Sequence, residues 1–430
     1  MFHSRTAASL LLVIAVSLSV EGPQRGGSLV EGFLVDEGSY RRRRHASPSS
    51  SSSSVKTALR AKASRYADNV EGPLYVNDRC INCAACSMFA PDSFARSDVD
   101  GHHIVHTQPQ TEQQIEQARA ALSACPVAAI RVESLAERRH NNLPDPSPEE
   151  QALAPKLALN PKFNNLELPF PRPISPSTPD IYHVGHHNEH SFGAAPYLVQ
   201  SSSQDWILVD SPRFSKTAVT AIEKVTGPNG PKYMLLTHVD DTADHSKWKD
   251  HYPNLKRIFH ALELNNNWVG DKSLEEVEIL LQESSSDEGP LQLFSLDGTS
   301  IDTIEESKED VVLIHTPGHS LGSLTLYKKP SSSEEASRRP GVIFTGDTYA
   351  YSTRDNGHMS GFPRYGRDLN LQATVLPRLL DFEWQIVAPG HGHVRDYPLN
   401  NDDDSNNADR TEEMQPAVDE LKRWGGRRRS

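Results

Sequence analysis

Four cysteines are the feature of this sequence that most constrains its fold. Cys80, Cys83 and Cys86 follow one another at three-residue steps, and Cys125 lies far downstream, directly before Pro126. Thiolates that converge from a tight loop and from a distant segment suit a cubane iron–sulfur cluster. The pattern therefore predicts one [4Fe-4S] cluster held by these four residues. A structural zinc ion is the alternative, but the Cys-Pro pair and the three-residue steps favour iron and sulfide.

A helix is predicted between the two cysteine segments. Thr111 and Gln114 have the spacing of a capping box, and Ile115, Ala118 and Leu122 then recur on one helix face. Such a helix carries Cys125 back toward the cysteine loop.

This region resembles the single-cluster ferredoxins of the bacterial type. Besides the cysteines, the matching positions are Ala90-Pro91, Phe94 and the run Cys-Pro-Val-Ala-Ala-Ile over 125–130. The sequence has no second cysteine triplet, which implies a single cluster. The resemblance implies a small ferredoxin-like domain, with a redox partner protein as a candidate partner.

Composition divides the chain into five segments. A targeting presequence over 1–65, expected to be disordered, precedes the ferredoxin-like domain, which is predicted over 70–135. A polar, Pro-rich linker over 136–176 leads to a large domain over 177–400, in which short apolar runs alternate with helical patterns. A polar tail over 401–430 is expected to be mobile around one short helix.

The presequence has two parts. An apolar run from Leu10 to Val20 has the length of a signal-peptide core and is too short to span a bilayer. The stretch from Gly38 to Ala67 contains eight Lys or Arg and no acidic residue, a composition typical of transit peptides. This order resembles the two-part presequence of algae with complex plastids, so we expect the plastid stroma. The alternative is a cleaved secretory signal, although an oxidising lumen is a poor compartment for the cluster.

The charge distribution argues against nucleic acid as a partner. The chain has a net charge of -13, yet its first 65 residues carry ten Lys or Arg against four Asp or Glu. The remainder therefore carries -19, and such an acidic body repels phosphate backbones. The expected partner is a small-molecule substrate, with no nucleic acid and no membrane span.

Apolar runs in the large domain repeatedly end at residues able to bind metal or transfer protons. The alternation of these runs with helical patterns predicts layered sheets with helices outside, and polar residues at strand ends then meet at one edge. One predicted helix has Val219, Ile222 and Val225 before Gly227, and another starts from a capping box at Ser273 and Glu276. The predicted strands are Trp206–Val209, Tyr233–Leu236, Val311–Ile314, Val342–Phe344 and Ile386–Ala388.

Four blocks hold the candidate metal ligands, and their order carries more information than any one block. They are Thr237-His238 to Asp244-His245, Thr316-Pro317-Gly318-His319, Gly346-Asp347-Thr348 and Pro389-Gly390-His391-Gly392-His393. This order resembles the metallo-β-lactamase superfamily, and the last three blocks are most similar to its glyoxalase-II-like branch. The resemblance implies the α+β class: a small ferredoxin-like domain followed by a four-layer αββα sandwich.

The resemblance also implies roles for individual residues. His238 and His319 correspond to ligands of a first metal, His245 and His391 to ligands of a second, and Asp347 to the carboxylate that bridges them. Asp244 corresponds to a ligand that orients the nucleophile or accepts its proton, which makes it the predicted catalytic residue. One or two Zn or Fe ions are the implied cofactors, because imidazoles and carboxylates suit both metals.

The first block departs from the family pattern. Asp240 stands where the family has a second histidine, and two extra residues separate it from Asp244. Asp240 is either an oxygen ligand, which shifts the preference toward Fe or Mn, or a partner that orients His238. Asp241 is a further candidate ligand.

Other polar residues have plainer interpretations. The histidines His183, His186, His187 and His190 are predicted to lie in a polar loop before the first strands of the domain. Asp210 ends a strand and is predicted to brace the site.

Three functions are compatible with these patterns. The first is a metal-dependent hydrolase of a small ester or thioester, for which the metals activate water. The second is an iron-dependent oxidoreductase in which the cluster passes electrons to the His/Asp site. The third is a non-enzymatic electron carrier or redox sensor with a disabled metal site.

Overall fold

The computed structural model describes residues 63–140, 144–160, 166–265, 267–282, 291–331, 339–354, 357–397 and 403–427. Nearly all of the predicted presequence lies outside these residues. Within the described part of the chain, no helix combines the length and the apolar character that a membrane crossing requires.

The N-terminal domain consists of short strands and helices around the cysteine loop. Its strands form two antiparallel pairs, the first with the fourth and the second with the third. The strands are β1 (Leu74–Val76), β2 (Phe94–Arg96), β3 (His103–Val105) and β4 (Ile130–Val132). The helices are α1 (Ala85–Phe89), which contains the third cysteine of the triplet, and α2 (Glu112–Ala124), which leads to the fourth cysteine.

Helix α2 confirms the helix predicted between the cysteine segments. The Gln114 N–H donates to the Thr111 hydroxyl, and the Gln114 side chain returns to the backbone of Thr111. Ile115 and Ala118 are buried in the domain core. The reciprocal cap satisfies backbone donors at the start of α2, and the apolar face fixes its direction toward Cys125.

The segment predicted as a linker, 136–176, is more structured than its composition indicates. It holds α4 (Pro148–Lys156) and most of α3 (Leu135–His140). Leu157 is fully buried in the core of the N-terminal domain, and the Phe170 ring meets Phe89 edge-on with 5.0 Å between centroids. Apolar anchors between the prolines therefore hold this segment against the domain.

The large domain contains two seven-stranded sheets. The strands of the first are β5 (Arg172–Pro173), β6 (Ile181–His183), β7 (Tyr197–Gln200), β8 (Trp206–Val209), β9 (Tyr233–Leu235), β10 (Lys256–His260) and β11 (Ile279–Leu281). They lie in sequential order, and β8 to β11 are parallel. The parallel strands end at the same edge of the sheet, which places the residues that follow them close together.

The second sheet is mostly antiparallel. Its strands are β12 (Leu293–Phe294), β13 (Ser300–Ile301), β14 (Val311–His315), β15 (Leu324–Lys328), β16 (Val342–Gly346), β19 (Ile386–Pro389) and β20 (Arg395–Asp396). Their order is β13-β12-β14-β15-β16-β19-β20, in which β16 and β19 are parallel. A separate hairpin joins β17 (Ala350–Ser352) to β18 (His358–Ser360).

Side-chain alternation confirms the four-layer αββα sandwich. Along β8, Ile207 and Val209 face the layer between the sheets, whereas Leu208 faces the outside. Along β14, Leu313 belongs to the same inner layer and Val312 faces the opposite outside. Period-two alternation of this kind makes both faces of each sheet apolar, so each sheet needs a helical cover as well as its partner sheet.

Helices cover both outer faces. The helices on the first sheet are α5 (Lys216–Thr226), α6 (His245–His251) and α7 (Ala261–Asn265), and those on the second are α8 (Leu369–Val375) and α9 (Asp403–Arg427). The 3₁₀ turns are Glu189–Ser191, Val239–Asp241, Lys272–Glu276, Ile304–Glu306 and Leu376–Asp381. Helix α5 ends at Gly227 as predicted.

Two predictions for this domain were wrong. The segment after Ser273 is a single 3₁₀ turn followed by β11 instead of a helix, because Ile279 to Leu281 pair with β10. The tail contains the 25-residue helix α9, which packs on the second sheet through Met414, Ala417, Val418 and Leu421. The tail was predicted to be mobile because its charged composition hides this apolar stripe at helical spacing.

The inner layer should carry much of the stability. Phe344→Ala removes a fully buried ring from the layer between the sheets, and we expect a loss of about 3–5 kcal/mol in the free energy of unfolding. Phe192→Ala is the control, because that ring is 50% exposed. Denaturant unfolding followed by circular dichroism checks this, and equal losses in both variants would contradict it.

Candidate metal centre and cluster site

The metal-binding candidates lie just after strands of both sheets. His238 comes after β9 of the first sheet, and His319, Asp347 and His391 come after β14, β16 and β19 of the second. The four residues converge at one edge of the sandwich, where the prediction from the sequence put them. The site therefore depends on how the two sheets are packed.

Asp347 is the centre of this group. Its Oδ2 lies 3.9 Å from His238 Nε2 and 3.7 Å from His319 Nε2, and its Oδ1 lies 3.8 Å from His391 Nδ1. The two carboxylate oxygens thus face different imidazoles. This is the arrangement expected of a carboxylate shared between two metal positions.

Several polar atoms of this group are buried without a hydrogen-bond partner among the described residues. They are His238 Nε2, His319 Nδ1, His391 Nδ1 and Asp347 Oδ1. Unpaired buried polar atoms cost free energy, and imidazole nitrogens and carboxylate oxygens are ordinary metal ligands. The donor set therefore fits one or two divalent cations.

Two further aspartates stand beside His238. Ligand atoms of Asp240, His238 and His319 lie within 4.8 Å of one another, and so do those of Asp241, His238 and Asp347. Asp240 accepts a hydrogen bond from Trp268 Nε1–H at 2.7 Å, which fixes its orientation. Asp241 is fully buried and neither of its oxygens has a hydrogen-bond partner among the described residues.

Burial and neighbouring charges shift the pKa values of Asp241 and Asp347 in opposite directions. Burial, with the nearby charges of Asp347 and Asp210, holds the pKa of Asp241 well above its usual value. Burial also acts on Asp347, but the three imidazoles around it hold its pKa below the usual value. A cation at this site would favour the ionised form of both groups.

Thr237 and Asp210 orient the His238 ring. Asp210 accepts hydrogen bonds from the Thr237 N–H at 2.8 Å and from the Thr237 hydroxyl at 3.1 Å, and that hydroxyl lies 3.0 Å from His238 Nδ1. Since the hydroxyl donates to Asp210, it accepts from Nδ1–H and leaves the Nε2 lone pair toward Asp347. Burial raises the pKa of Asp210 to about 7.

Glu263 is a positioning residue that the sequence did not reveal. It is fully buried, and its two oxygens accept the Val239 N–H at 2.8 Å and the Gly322 N–H at 2.6 Å. These donors lie beside His238 on one sheet and near His319 on the other, so a single carboxylate joins the two ligand loops. A glutamate in a short helix normally indicates an exposed position, which is why no sequence signal marked it.

The structure does not bring His245 into the group. Its Nδ1 accepts from Arg257 at 3.1 Å, and its Nε2 lies 3.0 Å from Ser273 Oγ and 3.3 Å from Asp271. Burial and the Arg257 charge lower the pKa of His245 to about 4. Both ring nitrogens are thus occupied by protein groups, and the ligand role implied by the motif is not supported.

Asp244 is also placed elsewhere. Its Oδ2 accepts from the Asn188 side chain at 3.0 Å and from the Phe214 N–H at 2.9 Å, and its Oδ1 pairs with Lys247 at 2.6 Å. Val239–Asp241 of the first block forms a 3₁₀ turn, and Asp244 then adopts a left-handed φ of 65° ahead of α6. The longer loop therefore separates Asp244 and His245 from the ligands, and the catalytic role implied for Asp244 is not supported either.

The four cysteines form the second candidate site. Burial and the neighbouring cysteines raise the pKa of the Cys86 thiol well above its usual value and that of Cys83 to about 12. The Asn82 N–H donates to Cys80 Sγ at 3.4 Å, and the Ala129 N–H donates to Cys125 Sγ at 3.2 Å. Close thiols with backbone N–H donors to sulfur fit an iron–sulfur cluster, whose irons favour the thiolate form.

Comparisons with known proteins agree with this site. A family model described as the 4Fe-4S single cluster domain of ferredoxin I matches residues 76–132. Ferredoxin MycCII from Micromonospora griseorubida is 40% identical over 57 residues, which make up 13% of this chain and 76% of that protein. This part of the chain belongs to the single-cluster ferredoxin family. The ferredoxin domain predicted from the cysteine pattern is thereby confirmed, and iron and sulfide are favoured over zinc.

Solved structures similar to this chain include metallo-β-lactamases. MIM-1 from Novosphingobium pentaromativorans is 17% identical with a TM-score of 0.32, and the match covers 52% of this chain and 77% of that one. DIM-1 is 14% identical with a TM-score of 0.37, and the match covers 60% of this chain and 99% of that one. The fold of the sandwich that follows the ferredoxin domain is established by its own strands and layers.

Measuring the metal content of variants should distinguish metal ligands from residues that only lie near them. In the full-length protein, Asp347→Asn should lose most of the metal bound outside the cluster, because it removes the carboxylate charge facing three imidazoles. His245→Gln should retain that metal, since its ring contacts Arg257 and Ser273 instead. Elemental analysis checks both variants, and metal loss in His245→Gln with the fold intact by circular dichroism would contradict the assignment.

Proposed function

We propose that the protein is a metal-dependent hydrolase acting on a small ester or thioester. The observation that carries the proposal is the position of Asp347, whose two oxygens face the buried imidazoles of His238 and His319 and the partly buried one of His391. His238, His319, Asp347 and His391 would hold the metal, with Asp240 or Asp241 as a further oxygen ligand. A bound divalent ion supplies a Lewis acid and lowers the pKa of water toward neutrality.

The protein's own residues then orient the site and handle the proton. We assign the proton acceptor to Asp240 instead of Asp244, because Asp244 is engaged by Asn188, Phe214 and Lys247. Asp240 is only partly buried, and the Trp268 N–H holds one of its oxygens, which leaves the other free to accept a proton. Hydrogen bonding at one oxygen fixes the direction in which the second points.

Two exposed aromatic rings favour a substrate with an apolar part. Phe192 and Trp268 are 50% and 49% exposed, and their ring centroids lie 6.2 Å apart. Trp268 also contacts Asp240, so this aromatic pair stands beside the metal-binding group. Exposed aromatic surface next to a polar site is typical of ligand binding.

Hydrolysis of a panel of thioesters and esters by zinc-loaded protein tests the proposal. We expect Asp347→Asn to lower kcat/KM by about 1,000-fold or more, because metal activation contributes several kcal/mol. The control is Asp250→Asn, an exposed position on α6, which should change kcat/KM by less than about twofold. No hydrolysis by zinc-loaded wild type across the panel would overturn the proposal.

The contact between the two domains favours a second candidate function. Arg213 of the sandwich donates to the carbonyl of Pro126 at 3.0 Å, directly after the fourth cysteine. Hydrolysis needs no electrons, whereas an iron-dependent oxidoreductase would use a cluster held at the contact between the two domains. Iron in the His/Asp site of anaerobically purified protein, with substrate-dependent oxidation of the reduced cluster, would favour this candidate over the hydrolase.

A further inference from the structure

The cluster site is closed on one side by a loop of the sandwich. We call residues 183–195, from the last residue of β6 to a point just before β7, the bridging loop. At Gly193, where φ is +84°, an added Cβ would lie 2.5 Å from Cys83 Cβ, 2.7 Å from Cys83 Sγ and 3.5 Å from Pro126 Cγ. These distances leave no room for any side chain, so Gly193 forms part of the wall around Cys83.

The same loop packs on α1 of the ferredoxin domain. The Phe89 ring lies edge-on to His183 and His187, with centroid distances of 5.2 and 5.8 Å. His183 and His187 are buried, although the sequence predicted a polar loop here. The interface is therefore a packed core in which movement of one domain displaces the other.

The other side of the bridging loop reaches the metal ligands. The Ala195 N–H donates to the Gly390 carbonyl at 2.7 Å, and Gly390 directly precedes His391. His187 Nδ1 lies 2.8 Å from the Gly193 carbonyl, and the charge of His391 acts on the His187 ring. From Gly193 to Ala195 the backbone spans at most about 7.6 Å, so one short segment touches both sites.

We propose that the bridging loop couples the two sites, so that metal binding at the His/Asp centre and reduction of the cluster favour each other. This inference deepens the proposed function and rests on its metal centre. A dication near the cluster stabilises the reduced form, which carries one more negative charge, and raises the reduction potential. By linkage the reduced protein then binds the metal more tightly by the same factor.

The first test replaces Gly193, the residue that packs against Cys83. Gly193→Ala places a methyl group against the Cys83 sulfur, and we expect a loss of most iron and acid-labile sulfide. Gly227→Ala is the matched control: it shares a positive φ, +75°, but has no atom within 4 Å of the added Cβ, so the contact with the cysteine is absent. Full cluster content in Gly193→Ala would show that the loop is not a wall of the site and would overturn the proposal.

The second test measures the coupling itself. The reduction potential of the cluster is determined by titration followed by electron paramagnetic resonance, on full-length protein with the His/Asp site empty and zinc-loaded. We expect about tenfold tighter zinc binding to the reduced protein, which is a rise of about 59 mV for one electron. His187→Phe keeps an aromatic ring against Phe89 but removes the hydrogen bond to Gly193, so the rise should shrink, while His106→Phe, at an exposed position, should retain it.

The outcomes separate this inference from the proposed function. A rise in potential without any hydrolysis would overturn the hydrolase and leave the coupling in place. Hydrolysis with equal potentials in the empty and loaded protein would overturn the coupling alone. Failure of wild-type protein to bind zinc outside the cluster would overturn both.

Discussion

Face-to-face packing of the two sheets is the constraint on which the metal centre depends. One candidate ligand, His238, follows a strand of the first sheet, and the other candidates follow strands of the second, so no single sheet holds the site. The interleaved side chains of the inner layer, such as Val209, Leu313 and Phe344, set the separation of the sheets. Glu263 adds a direct tie at the edge, since it accepts one backbone N–H from each side.

Electrostatics at this edge favours a cation. Asp210, Asp241 and Asp347 are buried close together, which is unfavourable unless protons or positive charge compensate them. Three imidazoles compensate Asp347 and hold its pKa below the usual value, whereas burial and the neighbouring carboxylates hold the pKa of Asp241 above it. The pKa values of the three groups are thus shifted in different directions in the protein alone. Binding a divalent ion would remove this difference, which links the metal affinity to pH.

The second constraint is close packing between the ferredoxin domain and the sandwich. Gly193 and Phe89 make the interface tight, and the segment 136–176 adds anchors such as Phe170. A cluster held against a rigid loop has little freedom to move relative to the metal ligands. The domain order along the chain therefore has a structural consequence, because the first domain completes its pocket with residues of the second.

Sequence patterns predicted the parts of the protein whose chemistry is local. The cysteine spacing indicated the cluster, and the strand-end blocks indicated His238, His319, Asp347 and His391. Residue types and short spacings can be read from the sequence without knowledge of the fold. The motif did not predict the positions of Asp244 and His245, because two extra residues give the first block a longer loop that ends away from the other candidate ligands. Sequence patterns also failed for α9, whose apolar stripe is visible only once the second sheet is there to receive it.

By itself, the sequence determined the class of each domain, and it indicated the cysteines of the cluster site and the strand-end candidates of the proposed metal centre. Only the tertiary structure decided which of the candidate residues meet. In the structure, His245 contacts Arg257, the buried Glu263 joins the loops of His238 and His319, and Gly193 lies against Cys83. The physical reason is that a ligand's identity is a property of one side chain, whereas convergence depends on the packing of segments far apart in the chain.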